Sequence, residues 1–179
     1  GFEETKAAFC QELTPCVAVE SDDVERLVRE GFNSITARPG RAAIALGSVT
    51  LARTSAGDRK FQSLGVRRLC LAITNAVERA TRWAVFEANE TQVADRIHAQ
   101  VHACLSSLAD AGAFADDRFV VQCDAGLHVN ASNSERGVTI LLAFRPSGAR
   151  ERISLTLHQT VSGCRVATTA FAPANAECS

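Results

Sequence analysis

The sequence contains no methionine, at position 1 or elsewhere, and no apolar run approaching the ~18 residues that a membrane-spanning helix requires. Its opening residues, GFEETKAAF, include neither the basic region nor the apolar stretch of a secretory signal peptide. We therefore expect a protein that is not exported and has no membrane partner. The absent initiator methionine indicates a processed start, a tag remnant or a fragment of a longer chain, and we favour the fragment.

An excess of either charge is also missing, since 19 basic side chains stand against 20 acidic ones and the formal net charge is −1. A chain without a strong positive field attracts polyanions weakly, so nucleic acid is not expected as a partner. Hydrophobic residues make up 46% and charged residues 22%, which is typical of a soluble globular protein. A length of 179 residues suits one domain, with room for a small appendage.

No CxxC pair occurs among the cysteines, and their number, seven, is odd. Cys70 and Cys104 fall in helical patterns and Cys123 in a strand pattern, so we interpret them as reduced thiols that pack as small apolar side chains. This usage favours folding in a reducing cytoplasm. The full set is Cys10, Cys16, Cys70, Cys104, Cys123, Cys164 and Cys178.

Glycine motifs that hold nucleotides are absent, because the sequence has neither GxxxxGK[ST] nor a GxGxxG between a strand and a helix. The sequence therefore predicts no cofactor. His128 and His158 have no serine or cysteine nucleophile in a recognisable context, and nothing around Cys164 indicates an activated thiol. We predict no catalytic residues.

His98 and His102 form the most enzyme-like feature, because they lie one helical turn apart, where two imidazoles can bind a transition metal. Asp95 is a candidate third ligand. Both histidines lie beside the apolar stripe of their helix rather than on it, and no glutamate follows His98 in the zincin pattern. We favour a solvated or interface-facing helix edge and predict no metal site, with a metal-dependent enzyme or a generic interaction domain as the alternative.

The first third of the chain predicts a short helix and a hairpin. Ser21 is an expected N-cap, and Gly31 is expected to end the helix. Residues 33–37 and 42–51 are extended runs on either side of a turn, which predicts two paired strands. Residues 52–60 lack periodicity and predict a surface loop.

From Gly65 onward, apolar residues recur at three and four positions, which predicts a long amphipathic helix to Ala80. A short apolar connection at residues 83–86 follows, and Asn89 is an expected cap for a second helix that Gly112 ends. The two apolar faces consist of Val66, Leu69, Cys70, Ile73, Ala76, Val77 and Ala80 on the first helix, and of Val93, Ile97, Val101, Cys104, Leu105 and Leu108 on the second.

Beyond Gly112 the period falls to two, which predicts a meander of strands. Two long helices followed by such a meander predict the α+β class, with both helices packed on a largely antiparallel or mixed β-sheet. The predicted strands cover residues 119–123, 138–144, 153–157 and 165–171. The predicted divisions are a lead-in segment at 1–20, a core domain at 21–160 and a C-terminal strand or arm at 161–179.

Two sequence motifs, at residues 65–69 and 81–90, form an unusual combination. GVRRL at 65–69 opens the first long helix with paired arginines, and TRWAVFEANE at 81–90 follows about twelve residues later. They resemble the "vRRL … tRWavFEpN" passage of the contractile phage tail sheath family, in its C-terminal domain. GFNSI at 31–35, ALGSVTL at 45–51 and FVVQCD at 119–124 resemble further family passages, so the resemblance covers roughly residues 22–159.

The sequence departs from the family pattern at two places. Ala88 stands where a proline is usual, and residues 144–151 are a loosened form of the family's turn. Neither change removes a catalytic group, because the family has none.

The resemblance implies a structural subunit and not an enzyme. Sheath proteins form stacked hexameric rings around a tail tube protein and contract to drive the tube through a bacterial envelope. The implied location is the virion tail of a phage, prophage or tailocin, assembled in the bacterial host cytoplasm. The candidates for contacts between subunits are Arg67, Arg68, Arg79, Arg82, Glu87, Cys164, Val166, Thr168 and Ala170.

Two alternatives stay open for these candidates. The arginines form either a solvated helix face or charge contacts with another copy. Residues 161–179 are by analogy an arm donated to a neighbouring copy, and their alternation suits a strand, but an edge strand of the chain's own sheet fits equally. A fragment that lacks its donor strand is expected to be monomeric or weakly associating.

Overall fold

The computed structural model describes residues 14–17, 19–37, 43–51, 58–87, 90–116, 118–124 and 137–168. The chain divides into two compact units, Gly1–Leu69 and Cys70–Ser179, and the boundary falls within a helix. All strand pairs are antiparallel, in one sheet of two strands and one of four. The predicted α+β class is confirmed.

The first unit begins with α1 (Ser21–Arg29), whose chain reverses at Gly31 with a φ of 87°. Ser21 is not the cap that the sequence predicts, because Glu20 occupies the cap position and makes no side-chain capping bond. The predicted hairpin is confirmed as β1 (Ser34–Thr36) paired with β2 (Ile44–Leu46).

The segment after β2 is anchored by backbone pairing within the same unit. Val49 pairs with Ser63, and the side-chain amide of Asn33 both donates to Val49 O and accepts from Val49 N, each at 2.9 Å. A 3₁₀ helix, Asp58–Phe61, replaces the last part of the predicted loop at 52–60, and residues 52–57 of that loop lie outside the described residues.

Two long helices appear where the apolar periodicity predicts them. They are α2 (Leu64–Thr81) and α3 (Glu90–Asp110). The apolar connection between them is a 3₁₀ helix, Arg82–Phe86, and the Asn89 cap lies outside the described residues. Thr81 is buried and its hydroxyl donates to Val77 O at 2.8 Å, which satisfies the hydroxyl at the end of α2.

The second unit contains a four-stranded meander in the order β3-β4-β5-β6. Each strand neighbours the next in sequence, so every connection joins adjacent strands. The predicted positions of the first three strands are confirmed with shifts at the ends, and the fourth is confirmed up to residue 168, since residues 169–171 of its predicted range lie outside the described residues. The strands are β3 (Val120–Asp124), β4 (Gly137–Phe144), β5 (Ile153–Thr160) and β6 (Gly163–Thr168).

One face of this sheet forms the core of the second unit. The register places Ile140 beside Leu157 and Leu142 beside Leu155, and all four side chains are buried. Helix α3 packs against β3, and the 3₁₀ helix Arg82–Phe86 packs against β4 and β5. The helices contribute buried side chains at a spacing of three and four residues, which are Ile73, Val77, Val93, Ile97, Val101 and Leu105.

None of the described helices combines the length and the apolar character that a bilayer crossing requires.

Candidate interaction surface

The outer strand of the sheet, β6, presents an open edge. It pairs with β5 on one side, and no described strand pairs with its other side. Alternate backbone N–H and C=O groups of an edge strand point away from the sheet and can bond another extended segment. Among the described strands of this sheet, β3 at the other end is likewise paired on one side only, so both edges can accept an extended segment.

The core-facing side of the described part of β6 carries no charged side chain that would discourage another strand from pairing there. Cys164 lies beside Gln159 and Val166 beside Leu157, so both belong to the face that carries the core. Val166 is 44% exposed although its neighbour Leu157 is buried. The apolar face of the sheet thus extends to β6, where the side chain of Val166 is partly exposed to solvent.

For two residues of the predicted interface set, the structure describes only the backbone or nothing. Thr168 pairs with Leu155 through the backbone, and its side chain is not described. Ala170 lies outside the described residues, as does the rest of the predicted arm after it. Residues 163–168 form part of the chain's own sheet, which is the second of the alternatives that the sequence leaves open.

A tight turn attaches β6 to β5. Val161 and Ser162 form the turn, and Gly163 follows with a φ of 141°, which favours glycine. The Thr160 hydroxyl lies 2.9 Å from Ser162 Oγ and donates to Gly163 O at 3.1 Å. These bonds fix the direction in which the edge strand leaves the turn.

The thiols at the two edges of the sheet are held in the protonated state. Burial raises the pKa of Cys123, on β3, to about 11. Burial and the nearby Glu78 carboxylate both raise the pKa of Cys164. A protonated thiol is a poor nucleophile, so neither cysteine is prepared for covalent chemistry at neutral pH.

Glu78, near the end of α2, forms an ion pair with the first residue of the following 3₁₀ helix. Its carboxylate lies near enough to Cys164 to raise that thiol's pKa, and its Oε1 accepts from Arg82 Nη2 at 2.9 Å. Arg79 is exposed, and its Nε donates to Asn75 O at 3.2 Å. Arg82 is therefore paired within the chain, and the Glu78 charge is the smaller of the two causes that raise the pKa of Cys164.

Arg67 and Arg68 belong to the first unit and are both exposed. The Arg67 guanidinium lies 5.3 Å from the centroid of the Phe61 ring, which holds it within its own unit. Within the described residues, Arg68 has no ion-pair partner. Of this pair, Arg68 is the one whose charge is available to another molecule.

Glu87 takes part in a small network around the single tryptophan. Arg96 Nη1 lies 3.9 Å from Glu87 Oε1, and the Arg96 guanidinium lies 4.0 Å from the Trp83 ring centroid. Trp83 Nε1 donates to Gln100 Oε1 at 3.3 Å. Phe86, which the sequence analysis does not single out, is 75% exposed beside this network.

The two histidines of α3 form a ring stack on the exposed side of the helix. Their ring centroids lie 5.9 Å apart, and His102 also contacts Phe119 at 5.0 Å. Ser106 Oγ lies 3.4 Å from His102 Nδ1. In the described part of the chain, no group of three or more His, Cys, Asp or Glu side chains gathers around them or elsewhere. The metal-enzyme alternative gains no third ligand.

Gln159 is a feature that sequence reasoning missed. It is 2% exposed, and its side-chain oxygen has no hydrogen-bond partner among the described residues. The signal was available, because Ile153, Leu155 and Leu157 occupy the preceding core-facing positions of β5 and a polar residue breaks the series. Its neighbour Cys164 places this unpaired group next to the open edge.

No protein-family model and no curated protein matches the sequence. Solved structures do match. The sheath of an extracellular contractile injection system, PVC, in its contracted state has 21% identity and a TM-score of 0.62 over 78% of this chain. A sheath tail protein from Desulfitobacterium hafniense has 17% identity and a TM-score of 0.61 over 81% of this chain.

These matches cover only part of the other proteins. The chain corresponds to 40% of the PVC sheath protein and to 33% of the Desulfitobacterium protein. At such identities the likeness establishes a shared fold. The similarity to sheath proteins that the motifs predict is therefore confirmed at the level of the fold.

Proposed function

We propose that the chain is the assembly-forming domain of a contractile tail sheath subunit, with a structural role and no catalysis. The single observation that carries the proposal is the fold shared with two sheath proteins over about four-fifths of the chain. Function does not follow from fold alone, so the proposal also rests on the motifs at 65–69 and 81–90 and on the open edge of β6.

Copies of the chain associate by strand addition at β6. The edge offers unpaired backbone groups and an exposed apolar side chain, Val166, which are the two elements that such recognition uses. Donor strands come from the predicted terminal segments of a neighbouring copy, residues 1–20 and the part of 161–179 that lies beyond β6. Main-chain hydrogen bonds of this kind can persist while subunits rotate, which suits a sheath that contracts.

Charge contacts between copies fall to Arg68 and Arg79. Both are exposed, and neither forms an ion pair within the described residues. Arg67, Arg82 and Glu87 have intrachain partners and contribute less to such contacts. Exposed pairs are individually weak, about 0.2–1 kcal/mol, so they adjust the fit between subunits and do not drive it.

The complete particle follows from the same proposal. Hexameric rings of sheath subunits surround a tail tube protein, and contraction drives the tube through a bacterial envelope. Assembly takes place in the cytoplasm of the bacterial host, and the product is part of a virion tail, a prophage particle or a tailocin. Genes for a tail tube and for baseplate proteins are expected beside the gene for this chain.

Electron microscopy tests the proposal directly. The complete gene product that contains this chain, purified at high concentration, is expected to form tubes or stacked rings. A product that sediments as a monomer at every concentration would contradict the proposed role as a sheath subunit. The 179-residue chain alone is the comparison, and it is expected to associate weakly, because it carries the proposed donor segments without the rest of the complete product.

A further inference from the structure

The exposed side of α2 presents a leucine between two arginines. Leu71 is 46% exposed, Arg68 precedes it by three residues, and Arg79 follows it by eight. Both arginines are exposed, and neither forms an ion pair within the described residues. At about 100° and about 1.5 Å per residue, the three side chains lie within about 80° around the helix, and the arginines are about 16.5 Å apart along its axis. We call this surface the α2 face.

Helix α1 carries a similar pattern with the opposite charge. Glu20 and Glu30 lie at its two ends, both are exposed, and neither forms an ion pair within the described residues. Leu27 lies three residues before Glu30 and seven after Glu20, and it is only half-buried. The same helical geometry places these three side chains within about 80° around the axis and the two glutamates about 15 Å apart.

Charge and spacing match when the two helices lie antiparallel. From its C-terminal end, α1 presents a glutamate, then a leucine, then a second glutamate, at steps of three and seven residues. From its N-terminal end, α2 presents an arginine, a leucine and an arginine at steps of three and eight. A parallel arrangement that paired the charges would separate the two leucines by about 6 Å along the axis. The spacing therefore favours one orientation.

The charge difference between the helices extends beyond these residues. Five acidic and two basic side chains lie between Glu20 and Glu30, whereas four basic and one acidic lie between Leu64 and Arg82. None of the described side chains of α1 is buried, so the helix has surface to offer to another molecule. Opposite charges of this kind orient two protein surfaces as they meet.

We propose that α1 of one copy docks antiparallel on the α2 face of a second copy. The pairs are Glu30 with Arg68, Leu27 with Leu71 and Glu20 with Arg79. This inference rests on the proposed function, because it names the surface that the unpaired arginines of a sheath subunit bind. The two surfaces differ, so the contact is heterologous and can repeat from copy to copy around a ring or along a helical assembly.

The contact is small and is expected to be weak alone. Stable interfaces bury about 1,200–2,000 Å², and one face of a nine-residue helix provides less. Packed helices lie about 8–10 Å apart, which lets long side chains at the edges of the contact reach each other. The contact therefore aligns copies that strand addition joins.

Charge reversal tests the contact in solution. Sedimentation velocity measures the association of the 179-residue chain at about 0.01 M and about 1 M salt, between which the Debye length falls from about 30 Å to about 3 Å. Wild-type association is expected to weaken about tenfold at high salt. Two double variants should each lose this salt-sensitive association. They are Arg68→Glu with Arg79→Glu, and Glu20→Lys with Glu30→Lys.

An equimolar mixture of the two double variants is the decisive measurement. The new glutamates of one variant can pair with the new lysines of the other, so association should return to the wild-type level. Asp95→Lys with Asp110→Lys makes the same change of charge at two exposed positions of α3. Mixed with the arginine variant, this control should restore nothing. Restoration by the control would indicate general attraction between oppositely charged chains and would overturn the inference.

Exchanging two residues of α2 tests the spacing at constant charge. Asn75→Arg with Arg79→Asn keeps the composition of the helix and brings the two arginines closer by four residues, about 6 Å along the axis. The salt-sensitive association is expected to fall as it does on charge reversal. If the exchange has no effect, the antiparallel pairing is wrong.

The outcomes separate this inference from the proposed function. Association that responds neither to salt nor to the reversals overturns the helix contact and leaves strand addition intact. A wild-type chain that does not associate at low salt also overturns the helix contact. The sheath role is decided independently, by whether the complete gene product forms tubes or stacked rings.

Discussion

Gly137 shows how closely two strands approach at one residue. A Cβ at this position would lie 2.6 Å from Gln159 O, a backbone atom that cannot rotate away. We expect Gly137→Ala to lower the free energy of unfolding by about 1–3 kcal/mol, the range for overpacked sites. Urea denaturation measures the change.

Gly65 provides the matched control for that substitution. It lies in the first turn of α2, and the nearest atom to an added Cβ is Ser63 Oγ at 3.7 Å. Alanine is the better helix former, so Gly65→Ala should stabilise the chain by up to about 1 kcal/mol. Equal effects at the two sites would contradict the steric argument.

The thiol of Cys123 gives a prediction in pH. Its pKa is raised by burial to about 11, so the folded protein holds this proton more tightly than the unfolded chain does. The stabilisation from the neutral thiol is present at neutral pH and is lost as pH rises from about 9 towards 11. Alkylation by iodoacetamide should therefore be slow at pH 7 and accelerate about tenfold per pH unit to pH 9.

Cys16, which is exposed, serves as the internal reference for alkylation. Peptide mass spectrometry of one sample reports both sites, and Cys16 is expected to be modified first. In urea the two rates should converge. Equal rates in the folded protein would show that Cys123 is not shielded.

At the scale of elements, two adjacent residues of helix α3 lie on its buried and its exposed side. Ile97 is fully buried and His98 is exposed. Ile97→Ala is expected to cost about 2–5 kcal/mol, whereas His98→Ala should stay within about 0.5 kcal/mol of the wild type. Chemical denaturation of both variants tests the assignment.

Zinc analysis extends the same comparison. Wild type and His98→Ala should unfold at the same temperature with and without added zinc, because the described residues provide no third ligand. Zinc bound stoichiometrically by wild type and lost in His98→Ala would revive the metal-dependent alternative.

The elements with strong periodicity were predictable and the local details were not. Helices α2 and α3 and the strands of the meander follow from apolar residues at helical or alternate spacing, which packing alone enforces. The sequence gives no comparable signal for the 3₁₀ helix Asp58–Phe61 or for the cap at Glu20, because both depend on backbone bonds rather than on side-chain pattern.

The sequence proposes the members of the candidate surface but not how they are arranged. Arg68 and Arg79, two of these members, are exposed. The effect of the Glu78 charge on the pKa of Cys164 depends on the tertiary arrangement of the chain, which no local pattern encodes. Gln159 breaks an apolar series that is visible in the sequence, but polar residues are ordinary near strand ends, and only the structure shows that this one is buried.

At the scale of the whole molecule, the proposed strand addition at β6 predicts a substitution that blocks association. Val166→Lys places a charge at the apolar end of this edge, which should prevent strand addition. The tubes or rings expected of the complete gene product should then be lost. The free energy of unfolding should change by no more than about 0.5 kcal/mol, since the site is a partly exposed edge.

Val161→Lys is the control for this loss. Val161 is 69% exposed in the turn before β6 and does not belong to the edge. Tubes should form normally in this variant. Normal assembly of Val166→Lys would rule out β6 as the joining edge.

The two-residue turn between β5 and β6 has a consequence for the timing of folding. Closing so short a loop loses little chain entropy, and hairpins form within microseconds. Synthesis adds only about 5–20 residues per second. The open edge of β6 thus forms on each nascent chain almost as soon as β6 leaves the ribosome. Ribosomes that share a messenger hold such edges close together, so under the proposed strand addition translation itself is a stage at which premature pairing must be prevented.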